Sequence, residues 1–101
     1  MARLIYSARA LADLERLADF LVDGDPTAAE AAIALIEEAV GVLARHPLIG
    51  RPVEADLREL VISRGRTGYV ALYSFEPLYD AALILAIRHQ REAGYPGDAG
   101  D

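Results

Sequence analysis

Every basic side chain in this sequence is an arginine: there are ten Arg and no Lys. A GC-rich genome is the plain source of such a bias. Its physical consequence is that each positive charge is a planar fork suited to carboxylate or phosphate. Arg51, Arg58, Arg64 and Arg66 form a basic run, with Gly65 and Gly68 placing the last two on an exposed turn. They read either as contacts for an acidic partner or as solvated charges on a loop and hairpin. Other chemistries are poorly supplied. The absence of cysteine excludes disulfides and thiolate chemistry. Asp and Glu are scattered singly over helical faces and only His46 and His89 are present, so no metal-ligand cluster is expected. No glycine-rich phosphate loop and no serine-nucleophile signature occurs, and no cofactor is implied. His46 falls at the end of a predicted helix, where an imidazole suits the negative end of the dipole.

The charge is unevenly spread. The chain carries −6 overall. Residues 1–38 hold eight acids and three Arg, a net of −5, whereas residues 45–66 hold five Arg and three acids, a net of +2. An acidic whole with a basic middle is not the profile of a general nucleic-acid binder. At 101 residues the chain fits one domain, read as 1–95, followed by a loose tail, 96–101. There is no apolar signal segment, and the longest apolar run, 81–87, is too short to span a membrane, so a reducing cytoplasm is the expected compartment.

The elements that must position these residues change period halfway along. Residues 3–6 read as a short strand and Ser7 as a helix N-cap. Leu11, Leu14, Leu17, Ala18 and Leu21 then recur at helical spacing, with Asp13, Glu15, Arg16, Asp19 and Asp23 on the opposite face and Gly24 as the stop. Asp25-Pro26 opens a second helix with the stripe Ala29, Ala32, Ile33, Ile36, Val40 and Leu43, ending at His46-Pro47. Its six alanines between 28 and 39 keep it thin, and the short turn predicts an antiparallel hairpin.

Beyond it, 57–63, 69–75 and 81–88 are runs rich in β-branched and aromatic residues, separated by 64–68 and 76–80. In the middle run Tyr69, Ala71, Tyr73 and Phe75 share one face, read as core rather than a base-stacking platform. The last run is apolar on both faces, as an interior strand is. The predicted fold is α+β, in the order β-αα-β-β-β, with the hairpin packed on a mainly antiparallel sheet.

That order resembles the RelE/ParE toxins of type II toxin–antitoxin systems, and five local segments agree with it. Ile5-Tyr6-Ser7-Ala8-Arg9-Ala10-Leu11-Ala12-Asp13-Leu14 is similar to the family's strand followed by an S-x-x-A-x-x-D-L helix start. Residues 47–53, Pro47-Leu48-Ile49-Gly50-Arg51-Pro52-Val53, resemble its connector. Arg58-Glu59-Leu60, Gly68-Tyr69-Val70-Ala71-Leu72-Tyr73 and Ile87-Arg88-His89-Gln90-Arg91-Glu92 resemble its strands. The likeness covers about positions 3 to 95, and is nearer to ParE, the plasmid-stabilisation branch, than to RelE.

The resemblance implies a cognate antitoxin, itself DNA-binding, that forms a hetero-oligomer with the toxin and neutralises it. It also implies growth arrest, through either DNA gyrase or mRNA on the ribosome. Members that cut RNA do so without a metal, using Lys and Arg on the sheet and a His or Tyr near the C-terminus. Here Lys is absent, and Val70 stands where the nuclease pattern Tyr-Arg-x-x-Tyr has its Arg. The candidates for such chemistry are Arg88, His89, Arg91 and Tyr95; otherwise Arg88 and Arg91 pair with antitoxin acids and His89 closes a strand. Arg51, Arg58, Arg64, Arg66, Arg88 and Arg91 are the candidate target- or antitoxin-binding residues. The expected function is a gyrase-directed poison without catalysis of its own. The alternatives are a ribosome-dependent mRNA endonuclease and a non-toxic relative that only binds antitoxin. The antitoxin is expected to lay apolar anchors between helices and sheet and to cover Arg88 and Arg91 with acids.

Overall fold

The computed structural model describes residues 1–22, 24–63, 68–92 and 94–95. Strand β1 (Arg3–Tyr6) leads into helices α1 (Ala8–Val22) and α2 (Pro26–Gly41). Strands β2 (Arg51–Pro52), β3 (Leu57–Ile62), β4 (Tyr69–Glu76) and β5 (Ala81–His89) follow. The sheet order is β1-β5-β4-β3-β2, with β1 parallel to β5 and the other three pairings antiparallel. The parallel pair needs a long connection, which the helices and later strands supply.

The helix starts follow from their caps. Ser7 Oγ accepts from Ala10 N–H at 3.0 Å, and Asp25 accepts from Thr27 N–H at 3.0 Å ahead of Pro26 in the first turn. α2 ends at Gly41, earlier than His46-Pro47 suggested, and one 3-10 turn, Val42–Ala44, carries Leu43 into the core. The β2 strand was not expected from sequence. It is two residues long and contains a proline, which an edge position tolerates.

Cross-strand partners share a face. The row Ile62–Tyr69–His89 and the row Leu60–Ala71–Ile87 therefore face the helices, whereas Val61–Val70–Arg88 and Glu59–Leu72–Ala86 face away. The core joins Ala10, Leu17, Ile36, Val40 and Leu43 to Tyr69, Ala71, Tyr73, Ile84 and Ile87. Each such large aliphatic side chain contributes about 1.5–3 kcal/mol by leaving water. The aromatic stripe is thus core at Tyr69 and Tyr73. Phe75 is only half-buried and lies outside the cluster; it stands beyond the end of the β3–β4 pairing, which stops at Leu57 opposite Ser74.

One expectation is reversed at α1. Asp13, assigned to the solvent face, is 5% exposed, while Leu11, assigned to the core stripe, is 52% exposed. The reason is the sheet edge. β1 pairs with β5 only as far as Tyr6–Ile84, so the edge of β5 beyond that point needs other partners. α1 provides them. Ser7 Oγ donates to Leu85 O at 3.0 Å, Asp13 Oδ2 accepts from Ile87 N–H at 2.9 Å, and Arg16 donates to Ile87 O at 3.3 Å. The helix that starts where β1 stops continues β1's hydrogen bonding with side chains.

Candidate functional site

The chemistry-bearing residues gather at the C-terminal end of β5, on both sides of the sheet. On the face away from the helices, Arg88 stands beside Val70, and its guanidinium lies 5.1 Å from the centre of the Tyr95 ring. The same guanidinium donates to the carbonyls of His89, Gln90 and Glu92 at 3.3, 3.4 and 3.1 Å, closing the turn that follows the strand. The Tyr95 hydroxyl donates to Glu59 Oε2 at 2.8 Å, and Arg51 holds Glu59 Oε1 at 2.7 Å. Glu59 is therefore the centre of this face, although the sequence did not single it out. Its only earlier signal was its place next to Arg58 in a strand, which puts the two on opposite faces.

Burial alone would raise the Glu59 carboxyl. Hydrogen bonds from Arg51 and Tyr95, with the charges of Arg51 and Arg88, outweigh it and hold the group below the usual carboxylate range. Burial, then the hydrogen bond to Glu59 and its charge, push the Tyr95 phenol far above its ordinary value against the opposing Arg88. At neutral pH the cluster is thus a carboxylate bound by a phenol that keeps its proton. A group with a depressed folded value stabilises above its unfolded value and loses that contribution as pH falls through the folded one. Glu59→Gln should therefore flatten the decline in thermal stability between neutral pH and about pH 3. Identical wild-type and variant profiles in melting experiments would remove Glu59 from the acid response.

On the helix side, His89 meets Tyr69 edge-on, with ring centroids 5.4 Å apart at 81°. Its Nδ1 accepts from Arg91 N–H at 3.0 Å, which leaves the neutral ring's proton on Nε2. The His89 N–H donates to Glu92 Oε1 at 2.8 Å, and Glu92 Oε2 pairs with Arg16 at 3.0 Å. Glu92 thereby ties α1 to the turn after β5. Above this turn opens a cavity of about 670 Å³ lined by Leu17, Phe20, Leu21, Tyr69, His89 and Arg91, with Arg16 and Glu92 at its edge.

Adjacent residues of a strand point opposite ways, so the structure brings Arg88 together with Tyr95 and sets His89 apart from both. Of the basic run, Arg51 is paired with Glu59, and Arg58 donates to the carbonyls of Leu48 and Gly50 at 3.0 and 2.8 Å. Arg64 and Arg66 lie outside the described residues, as do Asp23 and the tail, 96–101. Arg91 is exposed and forms no ion pair with a described residue. Among the described residues no helix is long and apolar enough to cross a membrane.

Residues 4–94 match the family described as the ParE toxin of the type II toxin–antitoxin system parDE. The chain is 42% identical over 84 residues to Toxin RelE3 of Caulobacter vibrioides, covering 83% of this chain and 89% of the relative. Toxin RelE1 of the same organism is 39% identical over 70 residues, covering 69% of this chain and 75% of the relative. Among solved structures, the chromosomal ParDE system from P. aeruginosa superposes with a TM-score of 0.71 at 27% identity, covering 88% of this chain and 96% of that one. The toxin–antitoxin complex RelBE of E. coli shares the fold, with a TM-score of 0.64 at 15% identity over 91% of this chain and 100% of that one.

Proposed function

The chain belongs to the RelE/ParE family of toxins of type II toxin–antitoxin systems, and from that premise we propose that it arrests growth by gripping DNA gyrase, without chemistry of its own, until a cognate antitoxin covers it. The observation that carries this reading is Glu59. Cleaving a phosphodiester without a metal needs uncompensated cations around the phosphate and a group that moves protons. On the face where Arg51, Arg88 and Tyr95 converge, a buried-edge carboxylate neutralises Arg51, and Tyr95 is held in its protonated form. Arg88 is occupied by the carbonyls of its own turn. His89, the other proton carrier, faces the helices. Such a face suits recognition of protein groups better than RNA cleavage. The match to the ParE description supports a protein target, and the ParDE and RelBE complexes among the structural neighbours support an antitoxin partner.

The RelE names of the curated relatives favour a second reading, an mRNA endonuclease acting on the ribosome. One culture separates the two. The toxin is expressed from an inducible promoter in a bacterium lacking the antitoxin, and supercoiling, the DNA-damage response and mRNA integrity are followed together. DNA damage with intact mRNA is the expected result. Codon-positioned mRNA cuts without DNA damage would overturn it and make Arg88, His89 and Tyr95 the first positions to mutate. Normal growth with folded protein present would leave a non-toxic antitoxin-binding relative.

For the antitoxin, Arg91 is exposed at the end of β5, whereas Arg88 is engaged within the chain. Arg91→Glu should raise the antitoxin's dissociation rate roughly tenfold, by replacing an attraction with a repulsion at a docked face. Surface-plasmon kinetics identical to wild type would exclude Arg91 from the interface.

A further inference from the structure

We propose that the tip of the β4–β5 hairpin is the point at which the toxin engages gyrase, inserting Leu78 and Tyr79 into an apolar pocket of the enzyme rimmed by cations. This deepens the gyrase reading above and rests on it. The tip lies at the start of β5, the opposite end of the strand from Arg88 and His89. Leu78 is 94% exposed and Tyr79 68% exposed, so neither adds much to the core. Both belong to a 3-10 turn, Pro77–Tyr79, that closes the hairpin beyond its last pair, Glu76–Ala81. The turn is held firmly. Asp80 adopts the left-handed conformation at φ 47°, and its N–H donates to Pro77 O at 3.2 Å. From β1, the Arg3 N–H donates to Asp80 O at 2.7 Å and the Arg3 guanidinium donates to Tyr79 O at 3.3 Å. A tip fixed in advance loses little conformational freedom when a partner takes it up, and tyrosine is among the residue types that dominate interface energies.

Charge selects the partner. Glu76 and Asp80 bracket the turn, and Glu54 and Asp56 stand at the same end of the sheet, just ahead of the Leu57–Ser74 pair that opens β3. All four are exposed. The described cations at this end are Arg3, turned on to Tyr79 O, and Arg45, next to the Ala44 carbonyl that accepts from the Ala2 N–H. The Met1 amine lies 3.9 Å from Asp80, an exposed pair that solvent screens. Acids therefore prevail around the tip of a chain that already carries −6. Such an end is repelled by a nucleic-acid backbone and drawn to a cationic protein surface. Gyrase handles DNA, and a surface that holds a polyanion is itself cationic.

Purified gyrase holoenzyme immobilised on a sensor surface is the probe, and the full-length toxin flows over it. The double variant Leu78→Ser, Tyr79→Ser should melt as wild type does, since neither side chain packs in the core, yet bind gyrase at least about tenfold more weakly. A second variant, Glu76→Lys with Asp56→Lys, leaves the apolar tip in place. It should associate several-fold more slowly at low salt, and the fall in association rate that added salt causes in wild type should disappear. Wild-type affinity in the serine variant, or an unchanged salt dependence in the lysine variant, would overturn the assignment while leaving the gyrase reading standing. Absence of any binding by the wild-type toxin would remove the gyrase reading itself, and this site with it. Sedimentation of the toxin alone closes the test. A concentration-dependent dimer that the serine variant abolishes would give the tip to a second copy of the chain and refute the proposal.

Discussion

Asp13→Ala should remove about 2–4 kcal/mol of stability, the largest loss expected from any single polar substitution here. Asp13 is 5% exposed and accepts the Ile87 N–H at 2.9 Å. Its carboxylate also faces Arg9 at 3.9 Å and Arg16 at 3.7 Å. Truncation leaves a buried amide without an acceptor, itself a cost of about 1–3 kcal/mol, and leaves two guanidinium groups without their shared counter-charge. For a domain whose whole stability is about 5–15 kcal/mol, such a loss approaches the limit of folding. Asp13→Asn keeps an acceptor at the same place and should retain most of the stability. Urea unfolding of the two variants separates the hydrogen bond from the charge. If Asp13→Ala unfolds within about 1 kcal/mol of wild type, the β5 edge is not held from α1 in the way described.

The second large effect concerns the connector between α2 and the sheet. Tyr73 is wholly buried, and its hydroxyl both accepts from Gly50 N–H and donates to Pro47 O, each at 2.8 Å. A Cβ on Gly50 would lie 2.6 Å from both Cε1 and the hydroxyl oxygen of Tyr73 and 2.9 Å from Glu59 O. The Tyr73 ring is locked in the core, so the backbone must move instead. Gly50→Ala should cost about 1–3 kcal/mol through overpacking, and Tyr73→Phe a similar amount through the unsatisfied Gly50 amide. Since both act on the same hydroxyl, the double variant should lose less than the sum. Strict additivity in denaturant titrations would mean that the connector is not held through this hydroxyl.

These two sites also mark how far the sequence could be read. β1 was legible to the residue, and β3, β4 and β5 to within one position, because β-branched and aromatic runs between turn residues carry their own period. The two helix starts were legible from Ser7 and Asp25-Pro26. The strand β2 was not, because a two-residue strand has no period to detect.

Periodicity also ranks side chains by polarity, so it placed Asp13 in water. Only the finished sheet reveals that β1 stops at Tyr6 and that β5 requires an acceptor at Ile87. Arg88, His89 and Tyr95 were likewise legible as residue types close together in sequence, but strand alternation sends His89 to the helices and Arg88 to Tyr95.

The amino-acid sequence by itself determined the element order, the apolar faces and the family likeness, because these depend on local propensity and spacing. The tertiary structure alone decided which charges remain available. Glu59 meets Tyr95 across 36 residues as well as Arg51 on the neighbouring strand, and Glu92 meets Arg16 across 76. Whether an arginine can grip a partner depends on such long-range pairings, since a guanidinium already held by a carboxylate has little attraction left to offer, and no local pattern encodes them.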